Sequence, residues 1–197
     1  MQIRAVIGVP PDGVVKKEIT TLNEHARKFI GRCPFILISS AGADGRMDVS
    51  PKGDPPGFVQ VLDEKTLAIP DRLGNRRIDT FKNLLSNDQI GILFLIPGKQ
   101  ETLRVSGHAI IVRDAPLRES MAVNGRVPDF ATVVEVEQVF FHCAKCIIRS
   151  KLWTPTAWPE LAGLPTLAET TVLAGKLSLS VAEVEKRVAH DAQTRLY

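Results

Sequence analysis

The sequence predicts a mainly β fold, an antiparallel barrel with peripheral helices, and three observations carry the prediction. Short strand-like runs dominate the middle of the 197-residue chain, hairpin-length connections join them, and helical periodicity is only occasional. A doubly wound fold would alternate strands with helices, whereas a sheet of this many antiparallel strands curls into a barrel.

Each element has its own signal. Val15, Ile19, Leu22, Ala26 and Phe29 recur at steps of four, three, four and three, which predicts one amphipathic helix capped by Asp12 and ending near Gly31. Residues 35–39 read as a buried strand, 41–45 as a turn-rich break and 47–50 as the returning strand of a hairpin. Residues 58–62 and 66–70 flank Asp63-Glu64-Lys65 and give a second antiparallel pair. From Asn75 the period changes: Ile78, Phe81 and Leu85 fall at helical spacing, and the stretch closes at Ser86-Asn87-Asp88. Residues 90–96, 102–112 and 131–141 are three further strands. Beyond Trp153 come Pro155, Pro159 and Pro165, and then Ser180-Val181-Ala182-Glu183, a capping box for a helix carrying Val181, Val184 and Val188. The expected organisation is one domain overall, with a helical segment over 1–31, the barrel over 32–153 and a helical arm over 154–197.

Composition narrows the function classes. With 44% hydrophobic and 24% charged residues the chain is of globular type. Its 25 basic and 22 acidic residues leave a net charge of +3, too balanced for a nucleic-acid surface. The longest apolar run, 90–96, cannot span a bilayer, and Pro10-Pro11-Asp12 arrives before any stretch of signal-peptide length. A soluble cytoplasmic protein with no nucleic-acid or membrane partner is expected. Three cysteines, an odd number in a chain of this size, are expected as free thiols. Cys143-Ala144-Lys145-Cys146 has redox-pair and half-zinc-site spacing, but only Cys33 and His142 are available to complete a metal set, so two partly buried thiols at a strand end are expected and no metal.

The densest chemistry lies over residues 71–77, Asp71-Arg72-Leu73-Gly74-Asn75-Arg76-Arg77, where a strand gives way to a helix. Backbone N–H groups at the positive end of a helix, with Asn75 as its cap, would there meet two or three guanidinium groups whose planar forks suit phosphate. The residues alone also allow an ordinary solvated basic helix start.

The order of these motifs resembles the pyridoxamine 5′-phosphate oxidase family of FMN proteins. It runs from Ser50-Pro51-Lys52 through the second hairpin to Asp71 and Asn75-Arg76-Arg77, and then to Leu103-Arg104-Val105-Ser106-Gly107-His108-Ala109. The resemblance implies an FMN-binding split β-barrel of antiparallel Greek-key type with N- and C-terminal helices. It puts the FMN phosphate on Asn75, Arg76 and Arg77, in place of the family's Ser-Arg-Lys, and lines the flavin with Ser50, Pro51 and Lys52. Thr102 stands where true pyridoxamine phosphate oxidases have a flavin-contacting Gln, and Arg104 points the same way along the strand. The family is typically a homodimer with FMN at the subunit interface, which brings in Lys145, Arg149, Ser150 and Trp153 from the partner's C-terminal part. The resemblance thus implies an FMN-dependent oxidoreductase acting on a small-molecule substrate, with NAD(P)H as a candidate donor and a cation at Lys52 or Arg104 raising the flavin's potential. Pyridoxamine phosphate oxidation itself is disfavoured, because the only Tyr is Tyr197, where that enzyme uses a Tyr with further Arg and Ser residues for its substrate. The alternatives are a non-catalytic flavin or haem binder and a deazaflavin-dependent reductase on the same fold.

Overall fold

The structure, a computed structural model, describes residues 2–197. Seven strands form one antiparallel sheet: β1 (Phe35–Ala41), β2 (Met47–Gly53), β3 (Gln60–Val61), β4 (Thr66–Pro70), β5 (Gln89–Leu95), β6 (Thr102–Val112) and β7 (Ala131–His142). Their spatial order is β2-β1-β5-β6-β7-β4-β3, so both predicted hairpins are present and sit at opposite ends of the sheet. The sheet does not close on itself, yet it curls. β2 and the loop leaving β4, separated in that order by β1, β5, β6 and β7, line the same cavity. The fold is the split barrel, with helices around it.

Alternation explains which face is inside. Along β1, Ile36, Ile38 and Ser40 are buried while Phe35, Leu37 and Ser39 are not, and β5 repeats the pattern with Ile90, Ile92 and Phe94. These residues join Leu103, Val105, Val134, Val136 and Val139 in one core. Helix α3 (Glu24–Ile30) adds Ala26, Phe29 and Ile30 to this core, with Leu22 just before it, and the Phe29 ring meets Phe141 edge-on at 5.7 Å. Cys33, fully buried, donates its thiol hydrogen to Phe35 O at 3.0 Å or Leu95 O at 3.2 Å, and burial pushes its pKa up.

The helix expected from Val15 to Phe29 is broken. A four-residue turn, α2 (Asp12–Val15), follows a short α1 (Gln2–Ile7), and then Ile19 pairs with Val139 through hydrogen bonds of 3.0 and 2.7 Å. The β-branched run Ile19-Thr20-Thr21 thus extends the free edge of β7 beyond the stretch that β4 covers. Asn23, not Asp12, caps the helix, its side chain accepting from Ala26 N at 3.0 Å.

The helix α4 (Asp79–Ser86) starts later than its apolar spacing suggested and shows its apolar stripe outward. Thr80 and Leu84 are its buried residues, while Ile78 is 56% exposed and Leu85 79%. Polar partners turn it this way: Asn83 Nδ2 donates to Ser40 Oγ at 3.0 Å and Thr80 Oγ1 to Asp48 Oδ2 at 3.4 Å. Thr80 thereby ties the helix start to β2.

Three helices lie outside the sequence expectation: α5 (Ala115–Ser120), α6 (Lys145–Ser150) and α7 (Leu167–Gly175). Each of α5 and α7 has a side-chain cap, Asp114 to Leu117 N at 2.9 Å and Thr166 with Glu169 in a reciprocal box. The last helix, α8 (Val181–Thr194), opens with the predicted Ser180–Glu183 capping box and buries Val184. No helix among the described residues is long and apolar enough to cross a membrane.

Candidate functional site

A cavity of about 430 Å³ lies at the seam where the curled sheet brings β2 towards the segment after β4, within the size range of small-molecule sites. One wall is Asp48 to Lys52 of β2, and the other runs from Asp71 to Phe81, so Ser50, Pro51, Lys52, Asp71, Asn75, Arg76 and Arg77 are brought together. One segment is a strand and the other a loop running into a helix, on either side of the second hairpin, and nothing in composition requires them to meet.

The loop is not the first turn of a helix, as the sequence suggested. Asn75 does not cap α4; its Oδ1 accepts from Arg77 N at 3.0 Å, closing a tight turn of its own. Arg76 and Ile78 have left-handed backbones, with φ of 61° and 54°. The helix begins only after Ile78, and no side chain caps it. The Arg76 and Arg77 side chains are exposed, and Arg77 Nε donates to Asp79 Oδ2 at 2.6 Å. An exposed pair of this kind adds little stability and yields to a competing anion at small cost.

Arg72, the third guanidinium of the sequence motif, is committed elsewhere. Its Nε is paired with Asp54 and its Nη2 donates to Met121 O at 2.8 Å, with the Asp54 side chain 1% exposed. This buried pair is a buttress between the end of β2 and the start of the loop, leaving at the cavity the forks of Arg76 and of Arg77, the latter in its exposed pair with Asp79. Burial pushes the Asp71 carboxyl upward, and the Lys52 ammonium offsets part of that rise. The cavity therefore carries a cation on the β2 wall and two more on the loop.

The remaining predicted residues do not line this cavity within one chain. Arg104 lies on the outer sheet face in the same row as Pro51, through Leu37 and Leu93, which three inter-strand spacings put about 14 Å away. Its guanidinium donates to Gln138 Oε1 at 3.3 Å and sits over the Phe140 ring at 5.2 Å. Thr102 is buried at the end of the same strand, opposite His142. Lys145, Arg149 and Ser150 lie on α6, and Trp153 just beyond it donates through Nε1 to Lys99 O at 2.8 Å. Cys143 and Cys146, expected to be partly buried, are exposed, because α6 turns the chain outward directly after β7. Among the described residues, no group of three His, Cys, Asp or Glu side chains is placed to hold a metal ion.

Residues 22–143 match the sequence profile of the family described as pyridoxamine 5′-phosphate oxidase. The chain belongs to the pyridoxamine 5′-phosphate oxidase family. The match spans both walls of the cavity and stops short of α6, α7 and α8. No curated protein matches. Among solved structures, HupZ of Group A Streptococcus aligns with a TM-score of 0.50 at 20% identity, over 60% of this chain and 92% of that one. A Lactobacillus delbrueckii chain named provisionally as a pyridoxamine 5′-phosphate oxidase aligns at 0.49 and 20% identity, over 62% and 95%. The haem storage protein HutZ of Vibrio cholerae aligns at 0.42 and 14% identity, over 62% and 94%. At these identities the likeness is one of fold. Folds of the pyridoxamine 5′-phosphate oxidase type generally form dimers.

Proposed function

We propose that this member of the family binds FMN in the seam cavity, as a homodimer with the cofactor at the subunit interface, and acts as an FMN-dependent oxidoreductase on a small-molecule substrate. One observation carries the reading: Ser50-Pro51-Lys52 and Asn75-Arg76-Arg77, far apart in sequence, face each other across one cavity of ligand size.

The donor set fits the cofactor. Arg76 and Arg77 offer planar forks that grip phosphate oxygens at two points and stay charged at any working pH, and the turn closed by Asn75 sets the two side by side. The phosphate of FMN takes this end, and the ring system lies along the β2 wall. Bound FMN supplies the electron transfer itself; the protein binds, orients and tunes. Lys52 sets a positive charge against the ring, and so favours whichever redox state carries more negative charge. Lys145, Arg149, Ser150 and Trp153 belong in this reading to the second copy's site. Thr102 and Arg104 serve the face on which the copies meet.

The purified protein is expected to be yellow and to release FMN on denaturation. Arg76→Ala should weaken FMN binding by about tenfold to a hundredfold, the worth of a charge-assisted contact to phosphate, with little change in unfolding temperature because the side chain is exposed. A wild-type protein that is colourless and takes up no added FMN would overturn the reading.

A further inference from the structure

Asp54 and Arg72 do more than neutralise each other. Asp54 stands two residues past Lys52, just beyond the end of β2, and Arg72 directly follows Asp71 at the root of the anion loop and lines the cavity, so their buried pair ties the segment leaving β2 to that loop. A third group closes the pair. Tyr197 Oη donates to the second Asp54 oxygen, Oδ1, at 2.8 Å, and the Tyr197 ring lies over the Arg72 guanidinium at 5.5 Å. Arg126 Nη1 fixes the tyrosine's backbone, donating to Tyr197 O at 3.1 Å. Tyr197 also lines a second, smaller cavity of about 170 Å³ together with Asp71, Arg72, Leu73 and Arg126. The loop from Asp71 to Leu73 is therefore the partition between this seat and the anion cavity.

We propose that Tyr197 is a positioning residue for phosphate binding: by holding Asp54 and covering Arg72 it fixes the separation between the β2 wall and the anion loop. The proposal rests on the FMN reading and adds to it a residue outside the matched 22–143 region. The two Asp54 oxygens take one donor each, from Arg72 and from Tyr197, and so are both satisfied. With the phenol gone, one oxygen of a buried carboxylate loses its partner and draws water or the Arg72 fork into a new arrangement. Any such shift moves residues 71–74, and with them the turn that presents Arg76 and Arg77. The coupling is reciprocal, so phosphate in the cavity must equally favour Tyr197 in its seat.

The test compares FMN with riboflavin, which lacks the phosphate, by flavin-fluorescence titration of wild type, Tyr197→Phe and Tyr197→Ala. Tyr197→Ala should weaken FMN by about tenfold and leave riboflavin unchanged. Tyr197→Phe, which keeps the ring over Arg72 and loses only the donor, should fall between. Unchanged FMN affinity in Tyr197→Ala, or equal weakening of both flavins, overturns the positioning role. If the wild type binds neither flavin, the FMN reading fails by itself. Hydrogen exchange of the amides of residues 71–77 then decides the positioning claim: faster exchange in Tyr197→Ala supports it and unchanged exchange overturns it.

Discussion

Isoleucine is among the residues least suited to a left-handed backbone, because its branched Cβ crowds the adjoining carbonyls. Such a conformation costs about 1–2 kcal/mol. Ile78 nevertheless adopts it, two residues after Arg76 does the same, and the pair brackets Arg77 where the chain must turn from the anion site into α4. The strain is why a sequence reading starts the helix three residues early: spacing and polarity pointed to Asn75 as a cap, and neither reveals a backbone reversal held from outside. His108 joins two strands through a surface arrangement whose strength depends on its ionisation. Its Nδ1 lies 2.8 Å from Asp88 Oδ1 and its Nε2 3.3 Å from Glu137 Oε1, and the Asp88 hydrogen bond is the chief cause of its raised pKa. A raised basic pKa means that the stabilisation is complete below the ordinary histidine value of about 6.5 and is lost as pH rises through the folded value. The unfolding temperature should therefore fall from about pH 6 to about pH 8 in the wild type, and fall less in His108→Gln. Parallel curves would exclude His108 as the source.

Among the elements, β6 has the least tolerance for change. Its pairing with β7 shifts register between Ser106 and Gly107, and a Cβ built at Gly107 would fall on the Glu135 carbonyl oxygen, a backbone atom that cannot swing aside. Gly107→Ala should lower stability by about 2–3 kcal/mol, at the upper end of overpacking costs, and chemical denaturation would read it as a lower midpoint; a midpoint within error of wild type would mean that the two strands part easily. Strands were the legible part of this sequence because alternation is short-range: β1, β2, β4, β5, β6 and β7 all stand within a few residues of where their apolar patterns put them. The helices were less so. Val15 to Phe29 has faultless helical spacing, yet Ile19 is worth more to the chain as a partner for Val139 than as a turn of helix, and that partner lies far beyond any local window. In α4 the apolar spacing marks a helix but not the side it buries, which is chosen by Ser40 and Asp48 on distant strands.

At the scale of the whole molecule, the outer face of β2 and β1 is unusually apolar for a surface. Met47 and Val49 are 64% and 62% exposed, beside Phe35, Leu37 and Leu93. A second copy is the natural cover in a fold that generally dimerises, and light scattering should report a dimer. Val49→Asp should shift it to monomer and weaken FMN binding at the same time, because the face adjoins the cavity; a monomeric wild type, or a Val49→Asp dimer, would refute this use of the surface. The candidate site was legible only in part. Ser50 to Lys52 and Asp71 to Arg77 could be picked out as chemistry, whereas Arg104 and α6 lie away from the cavity within one chain, and strand alternation alone does not reveal that distance.

The seam has a consequence for how the protein comes to be. Each hairpin is local and forms quickly, but the two cavity walls belong to opposite ends of the strand order and meet only when β5, β6 and β7 have wrapped the sheet between them. The pocket is complete only in the curled sheet, so a ligand seated there favours the finished barrel over partly folded forms by mass action. A ligand held there thus protects the chain from proteolysis in proportion to its supply.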